Sequence, residues 1–237
     1  MTTAAVWLVR PPTWREALPA PVSKSQVASD SEVAEVMQLE SMLRGLAEVP
    51  FTPLVGPLHD ALAATQDRVR AQVALAVGRA LGVKPTYRLA LAAALETLYV
   101  AGQVHETLAR RAALNGSAGA LVLMGDHLYA RAAAFAADAE SPAIVTLFAQ
   151  TLQRLSENGV RQQLHAPHAL PVSNHALLCA AAAEGAAMLG NASASELEAL
   201  RRVGLAMDDP AASRAALDQV SHPAARCNLA ALLQSVL

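Results

Sequence analysis

Hydrophobic positions recur every three or four residues through most of the chain after Ser31, which is the spacing of amphipathic helices. Ser31 is a suitable N-cap for the first helix, whose apolar positions run from Val33 to Leu46. The proline-containing segment 50–57 ends that pattern. The pattern predicts about eight or nine helices in all, the later ones near 58–81, 85–113, 118–137, 142–164, 174–189, 196–207, 211–220 and 224–237.

Turn and cap residues separate these segments. Gly82 closes one helix, and Asn115-Gly116 marks the next turn. A turn-rich stretch covers 165–171, and Ser193 or Ser195 caps the helix that follows Ala192. The spacing shows no internal repeat.

Residues 1–30 differ from the remainder of the chain. They hold Trp7, Trp14 and four prolines, and they predict an extended arm before a helical domain over 31–237. Such an arm either packs on its own domain or inserts a tryptophan into a partner's groove.

Composition supports an all-α, single-domain fold. The 237 residues are 54% hydrophobic and only 3% aromatic, and alanine and leucine dominate, which favours closely packed helices over sheets. A formal charge of -2 without a basic run argues against nucleic acid as a partner. Cys179 and Cys227 are interpreted as reduced, buried thiols, typical of a cytoplasmic protein.

A mean hydropathy of +0.30 raises the question of a membrane span. The longest uncharged stretch, 162–183, contains two prolines and three histidines, so no membrane span is expected. An apolar surplus outside a membrane instead favours an oligomer, because large exposed apolar patches mark interfaces.

Two adjacent motifs carry a family resemblance. Residues 90–106, ALAAALETLYVAGQVHE, are similar to the helix of trans-isoprenyl (polyprenyl) diphosphate synthases that leads into their first aspartate-rich motif, DDxxD, with Glu96 and His105 on matching positions. Residues 122–132, VLMGDHLYARA, resemble the family's next helix, VLxGDxLxARA. The resemblance implies an isoprenoid synthase fold, in which active members pair through the helices flanking the motif that is Gly125-Asp126 here.

Weaker similarities occur in the family's order. QDRVRA at 66–71 resembles the GKRLRP segment that binds isopentenyl diphosphate, with Arg68 and Arg70 kept and Asp67 in place of the lysine. The segments 155–163, 174–183 and 203–209 resemble the SEGE…Q turn, the KTAxL helix and the approach to the second aspartate-rich motif.

The resemblance implies magnesium chemistry, and this chain departs from the family at the residues that perform it. In the family, carboxylates of both motifs hold Mg²⁺ on an allylic diphosphate, and Mg²⁺ requires hard oxygen ligands in near-octahedral geometry. Glu106, Thr107 and Arg110 stand where the three aspartates belong, and Glu106 and Arg110 are spaced for a mutual ion pair. In an alternative register, Arg110-Arg111 match the double arginine after the motif. Both registers lose the ligands.

The second motif is reduced to Asp208-Asp209. The residue four positions beyond Asp208 is Ala212, and Pro210 makes Asp209 a natural N-cap. We expect no metal at this motif.

Other candidate positions have structural interpretations. Arg68 and Arg70 either bind diphosphate or form a solvated helix face, and we favour the second. Asp126 is expected to order its helix through a hydrogen bond or an arginine. Three histidines beside two prolines are expected on the surface rather than at a metal: His165, His168 and His175.

Three functions stay open. The leading hypothesis is a non-catalytic homologue, without metal or cofactor, that acts as a small or regulatory subunit beside an active polyprenyl diphosphate synthase. The second is a divergent magnesium-dependent prenyltransferase that uses Glu106, Asp126, Asp208 and Asp209. The third is a homodimeric carrier of an isoprenoid in the helical cavity.

Overall fold

The computed structural model describes residues 30–48, 52–63, 65, 67–111, 118–164 and 172–236, and within these ranges it contains ten α-helices and no strand. The helices, in chain order, are α1 Asp30–Gly45, α2 Thr52–Ala63, α3 Val69–Ala80, α4 Pro85–Arg111, α5 Ala118–Ala137, α6 Pro142–Gln163, α7 Asn174–Leu189, α8 Ala194–Leu205, α9 Pro210–Leu217 and α10 Pro223–Val236. The predicted all-α fold is confirmed.

One predicted helix is in fact two. The segment expected as a single helix over 58–81 falls in both α2 and α3, and α2 begins at Thr52, so the predicted break at 50–57 is wrong for most of its length. Arg68, immediately before α3, has a φ of 46°, and this left-handed conformation interrupts the α-helical path. Its guanidinium holds the bend, since Nη1 donates to the Thr65 carbonyl at 2.7 Å and Nε donates to Glu40 at 2.8 Å.

Helices α4 and α7 occupy the centre of the bundle. Helix α4 packs against α3, α5 and α7, and α7 also contacts α6 and α8. Every residue of α4 from 88 to 98 is buried. Alanines at 90, 92, 93 and 94 allow the neighbouring helices to approach α4 closely. Leucines such as Leu95 and Leu98 fill the space between the helices where they lie further apart.

Gly204 lies where the backbone of α8 approaches the backbone of α7. A Cβ atom added at Gly204 would lie 2.4 Å from the Ala180 Cα and 2.5 Å from the Cys179 carbonyl oxygen. The backbones of α7 and α8 are therefore in direct contact at this point. Gly204 fixes the position of the end of α8, where Asp208 and Asp209 follow.

Side-chain caps begin three of the later helices. The Ser173 hydroxyl accepts from the Ala176 amide, and the Ser193 hydroxyl accepts from the Glu196 amide. The Asp209 carboxylate accepts from two amides of α9 at 2.9 and 3.0 Å, with Pro210 as the first helical residue. The predicted caps Ser193 and Asp209 are thus observed, whereas α1 begins at Asp30, one residue before the predicted cap Ser31.

Several other predictions have a definite outcome. Cys179 and Cys227 are both free, but only Cys179 is buried, because Cys227 lies on the solvent side of α10. No helix in the described ranges combines the length and apolar character needed to cross a bilayer. The predicted arm lies outside the described residues except for Asp30, and so does the predicted turn-rich segment 165–171.

Candidate functional site

A buried ion pair joins the start of α3 to the middle of α4. Arg70 and Glu96 are both 0% exposed, and the guanidinium grips the carboxylate through Nε at 3.1 Å and Nη2 at 3.0 Å. The Ala71 amide donates to the same carboxylate at 3.0 Å. Burial is the largest single influence and lowers the pKa of Arg70, but the charge and hydrogen bond of Glu96, together with the charge of Asp67, raise the pKa overall. Arg70 is therefore a permanent cation inside the bundle.

Three further side chains enclose Arg70. Its guanidinium carbon lies 3.8 Å from the centroid of the Tyr99 ring, and Nη2 donates to the Asp67 carboxylate at 3.1 Å. Nη1 is 3.3 Å from His175 Nδ1, which accepts when the imidazole carries its proton on Nε2. Burial, and then the charge of Arg70, lower the pKa of His175, so the imidazole is held neutral.

The predicted solvated helix face for Arg68 and Arg70 is wrong. Arg68 is 8% exposed, bonded to Glu40 and Thr65, and Arg70 is fully enclosed. Four of the five N–H donors of Arg70 already have partners. One cation faces two carboxylates, Glu96 and Asp67, so this cluster carries a net negative charge.

A second cluster joins α4 to α5. The His105 ring lies almost parallel to the Tyr129 ring, with centroids 5.0 Å apart. A Cβ atom at Gly125 would lie 2.3 Å from His105 Nε2, so Gly125 provides the space for the imidazole. Asp126 Oδ1 is 3.8 Å from His105 Nε2, so the charged neighbour seen for Asp126 is a histidine, whereas a hydrogen bond or an arginine was predicted.

The remaining residues of the first motif lie on the same helix. Glu106, Thr107 and Arg110 all fall within α4. Glu106 is partly exposed and lies near enough to Tyr99 and Tyr129 for its charge to contribute to raising the pKa of both phenols, after the larger effect of burial. The side chains of Thr107 and Arg110 are outside the described residues. The predicted Glu106–Arg110 ion pair therefore stays a prediction.

The two aspartates of the second motif have structural partners. Asp209 caps α9 through hydrogen bonds to two backbone amides. The Ser173 hydroxyl donates to Asp208 Oδ2, which links the end of α8 to the beginning of α7. Asp208 also lies within electrostatic range of His175, where its negative charge opposes the lowering of the imidazole pKa.

Solved structures of prenyl diphosphate synthases share this arrangement of helices. The decaprenyl diphosphate synthase from Rhodobacter capsulatus matches with a TM-score of 0.65 and 21% identity over 75% of this chain and 60% of that one. The polyprenyl synthase from Caulobacter crescentus, complexed with calcium and isoprenyl diphosphate, matches with a TM-score of 0.63 and 25% identity over 74% of this chain and 59% of that one.

A third match is a deletion mutant of heterotetrameric geranyl pyrophosphate synthase from mint, in complex with ligands. Its TM-score is 0.60 at 17% identity, and the match covers 84% of this chain and 98% of that one. None of the protein-family models and none of the curated proteins matches the chain.

The chain has the polyprenyl diphosphate synthase fold. This confirms the fold that the motifs around Glu96 and Gly125 implied. The chain spans about 60% of the length of the two bacterial synthases described above.

The described donors of this polyprenyl diphosphate synthase fold do not fit Mg²⁺. No group of three His, Cys, Asp or Glu side chains in the described ranges is close enough to share a metal ion. Asp209 is engaged by the amides of α9, Asp208 by Ser173, and His175 by Arg70. His165 and His168, the other two histidines considered in the sequence, lie outside the described residues.

Sequence reasoning missed the partnership of Arg70 and Glu96. A signal was present, because Glu96 stands alone in a run of buried alanines and leucines on α4. A carboxylate placed there requires a buried cation or several donors, since an unpaired charge in an apolar interior is very costly. Which cation supplies the charge depends on the packing of α3 against α4.

Proposed function

We propose that this chain is a non-catalytic relative of polyprenyl diphosphate synthases that acts as a subunit beside an active, aspartate-bearing synthase. The observation that carries the proposal is the enclosure of Arg70 by Glu96, Asp67, Tyr99 and His175. Arg70 lies in the segment 66–71, which resembles the segment that binds isopentenyl diphosphate in the family. Here its cation is already neutralised inside the protein.

A diphosphate that competed for Arg70 would have to displace Glu96. Separating a buried ion pair leaves an uncompensated charge and costs about 3–5 kcal/mol. The net negative charge of Arg70, Glu96 and Asp67 opposes a diphosphate further, because like charges about 4 Å apart repel by about 4 kcal/mol at an effective dielectric of 20. Substrate binding at this position is therefore unfavourable.

The residues that would bind Mg²⁺ are also altered. Arg110 and Thr107 replace two acids of the first motif, and Asp209 is used as a helix cap. An allylic diphosphate ionises in the family only when Mg²⁺ bridges both motifs. The proposal follows because the substrate cation and the metal ligands are compromised together.

The partner surface we propose is the outer face of α5. Exposed residues recur there with the alternating spacing of three and four that is typical of helix–helix seams: Ala120, Leu123, His127, Ala130, Ala134 and Ala137. Leu123 is 68% exposed, so a large apolar side chain on this face is open to a partner. This face lies beside Gly125-Asp126, and the heterotetrameric geranyl pyrophosphate synthase from mint is a precedent for mixed assemblies in this fold.

The first experiment tests catalysis. The purified chain is incubated with an allylic diphosphate and radiolabelled isopentenyl diphosphate over a range of Mg²⁺ concentrations, with an active polyprenyl diphosphate synthase as the positive control. We expect no extended product. Magnesium-dependent turnover that is lost in Asp208→Asn would overturn the proposal in favour of the divergent enzyme.

The second experiment tests the partner. The chain is co-expressed with a DDxxD-bearing synthase from the same genome, and the complex mass and product chain length are measured. We expect co-purification that Leu123→Glu abolishes and Met37→Glu leaves intact, because Met37 is 66% exposed on α1 and matches Leu123 in exposure. A chain that only forms a homodimer and retains lipid in native mass spectrometry would instead be a carrier.

A further inference from the structure

A pocket of about 230 Å³ lies on the side of α7 that faces away from Arg70. Helices α6, α7 and α8 form its walls, and its charged lining residues are Arg154, Glu184 and Arg201. Its apolar floor is formed by Leu147, Leu177 and Ala180. None of these residues belongs to the clusters around Arg70 or His105.

Glu184 is the feature that distinguishes this pocket. It is the only acidic residue of α7, a helix otherwise composed almost entirely of apolar residues, and it is half-buried. Among the described residues it has neither a hydrogen bond nor an ion pair. Burial raises its pKa, while the charges of Arg201 and Arg154 act in the opposite direction. A partly desolvated carboxylate without a bonded partner favours any ligand that donates to it.

The arginines complete the charge pattern. Arg201 is bound by Glu198, with its Nε and Nη2 donating at 2.8 and 3.0 Å, which leaves its Nη1 donors available. Arg154 is exposed on α6 and forms no hydrogen bond or ion pair within the described part of the chain. The charged side chains that line the pocket, Arg154, Arg201 and Glu184, have a formal sum of +1, and Glu198, which binds Arg201, also accepts from Arg202 Nε at 2.8 Å. The pocket therefore presents both a carboxylate and guanidinium donors to a ligand.

From this arrangement we propose that the pocket binds a small zwitterion with an apolar spacer, such as an ω-amino carboxylate. Its ammonium group donates to Glu184, its carboxylate accepts from Arg154, and its methylene groups lie on the floor of Leu147 and Leu177. Such a ligand gives both Glu184 and Arg154 a bonded partner of opposite charge. The proposal is independent of the role suggested for the whole chain.

The probes are a series of ω-amino acids from 3-aminopropanoate to 6-aminohexanoate, titrated into the full chain and followed by amide chemical shifts in NMR. We expect saturable binding for at least one member, with a dissociation constant on the order of 1 mM for a ligand with so few atoms. Hexanoate and hexylamine, each lacking one charge, should bind roughly tenfold more weakly or worse.

Substitutions of the lining residues test whether the probe binds in this pocket. Glu184→Gln and Arg154→Gln should each weaken binding of the best probe roughly tenfold, whereas Glu157→Gln and Arg161→Gln, exposed on α6 outside the pocket, should leave it unchanged. Circular dichroism checks that each variant is folded. The proposal is overturned if no ω-amino acid binds saturably, or if hexanoate or hexylamine binds as tightly as the zwitterion.

Discussion

Replacing Gly204 with alanine should drive α7 and α8 apart. The new Cβ would lie 2.4 Å from the Ala180 Cα, whereas carbon atoms in contact are normally about 3.5–4.0 Å apart. The obstacle is the backbone of α7, which cannot rotate away as a side chain would. The two helices must therefore separate by roughly 1 Å or more, which loosens the buried contacts of Leu200 and Val203.

The expected change in the free energy of unfolding is the difference between two opposing effects. Overpacking a tight core typically costs about 1–3 kcal/mol, and the rigid backbone contact at Gly204 puts this case at the upper end. Alanine gains about 1 kcal/mol over glycine in a helix interior. The free energy of unfolding should thus fall by about 2 kcal/mol, which lowers the urea midpoint by about 0.7–1 M at an m-value of about 2–3 kcal/mol/M.

Urea unfolding followed by circular dichroism measures this change. Gly159→Ala is the matched control, because a Cβ there meets nothing within 4 Å, and it should raise the midpoint slightly through helix propensity alone. If Gly204→Ala leaves the midpoint unchanged or raises it as Gly159→Ala does, the close contact between α7 and α8 is refuted.

Three other substitutions test the candidate site. Glu96→Gln should lower the free energy of unfolding by about 3–5 kcal/mol because it leaves Arg70 buried with only the exposed carboxylate of Asp67 as a counter-charge, while the exposed Glu157→Gln should change it by less than about 0.5 kcal/mol in the same urea assay. Asp209→Ala should cost about 0.5–2 kcal/mol through loss of the α9 cap, and an unchanged midpoint would contradict the cap. Burial and Arg70 lower the pKa of His175 below 6.5, so the unfolded chain binds that proton at higher pH than the folded protein does. Stability should therefore decrease as the pH falls from 6.5 towards the folded-state pKa, and a pH series of unfolding curves for His175→Asn should lack this step.

Much of the fold could be predicted because helices depend on local sequence. The bounds of α5 and α7 agree with the predicted 118–137 and 174–189, since each segment is a run of helix-favouring, mostly apolar residues between turn residues. Asp209 was predicted as a cap from Pro210 alone, and the cap is present. Such features involve residues within one helical turn of each other.

The candidate site was predicted less well because its contacts join distant segments. Arg70 and Glu96 are 26 positions apart, and Arg70 and His175 are 105 positions apart. The sequence around Arg70 favoured a solvated face, because its spacing does not show which distant segment covers it. The division between α2 and α3 was missed for the same reason, since Arg68 is held in its left-handed conformation partly by Glu40 on α1.

The sequence by itself determined that this protein is helical and where most of its helices begin and end, because these depend on residue identity and short-range spacing. It also showed which residues, Glu106, Thr107 and Arg110, stand where the resemblance places the first motif. Only the tertiary structure decided that Arg70 is enclosed by Glu96, Tyr99 and His175 rather than open to an anion. The physical reason is that the free energy of a charge depends on its surroundings, and in a helical bundle those surroundings come from segments far apart in the chain.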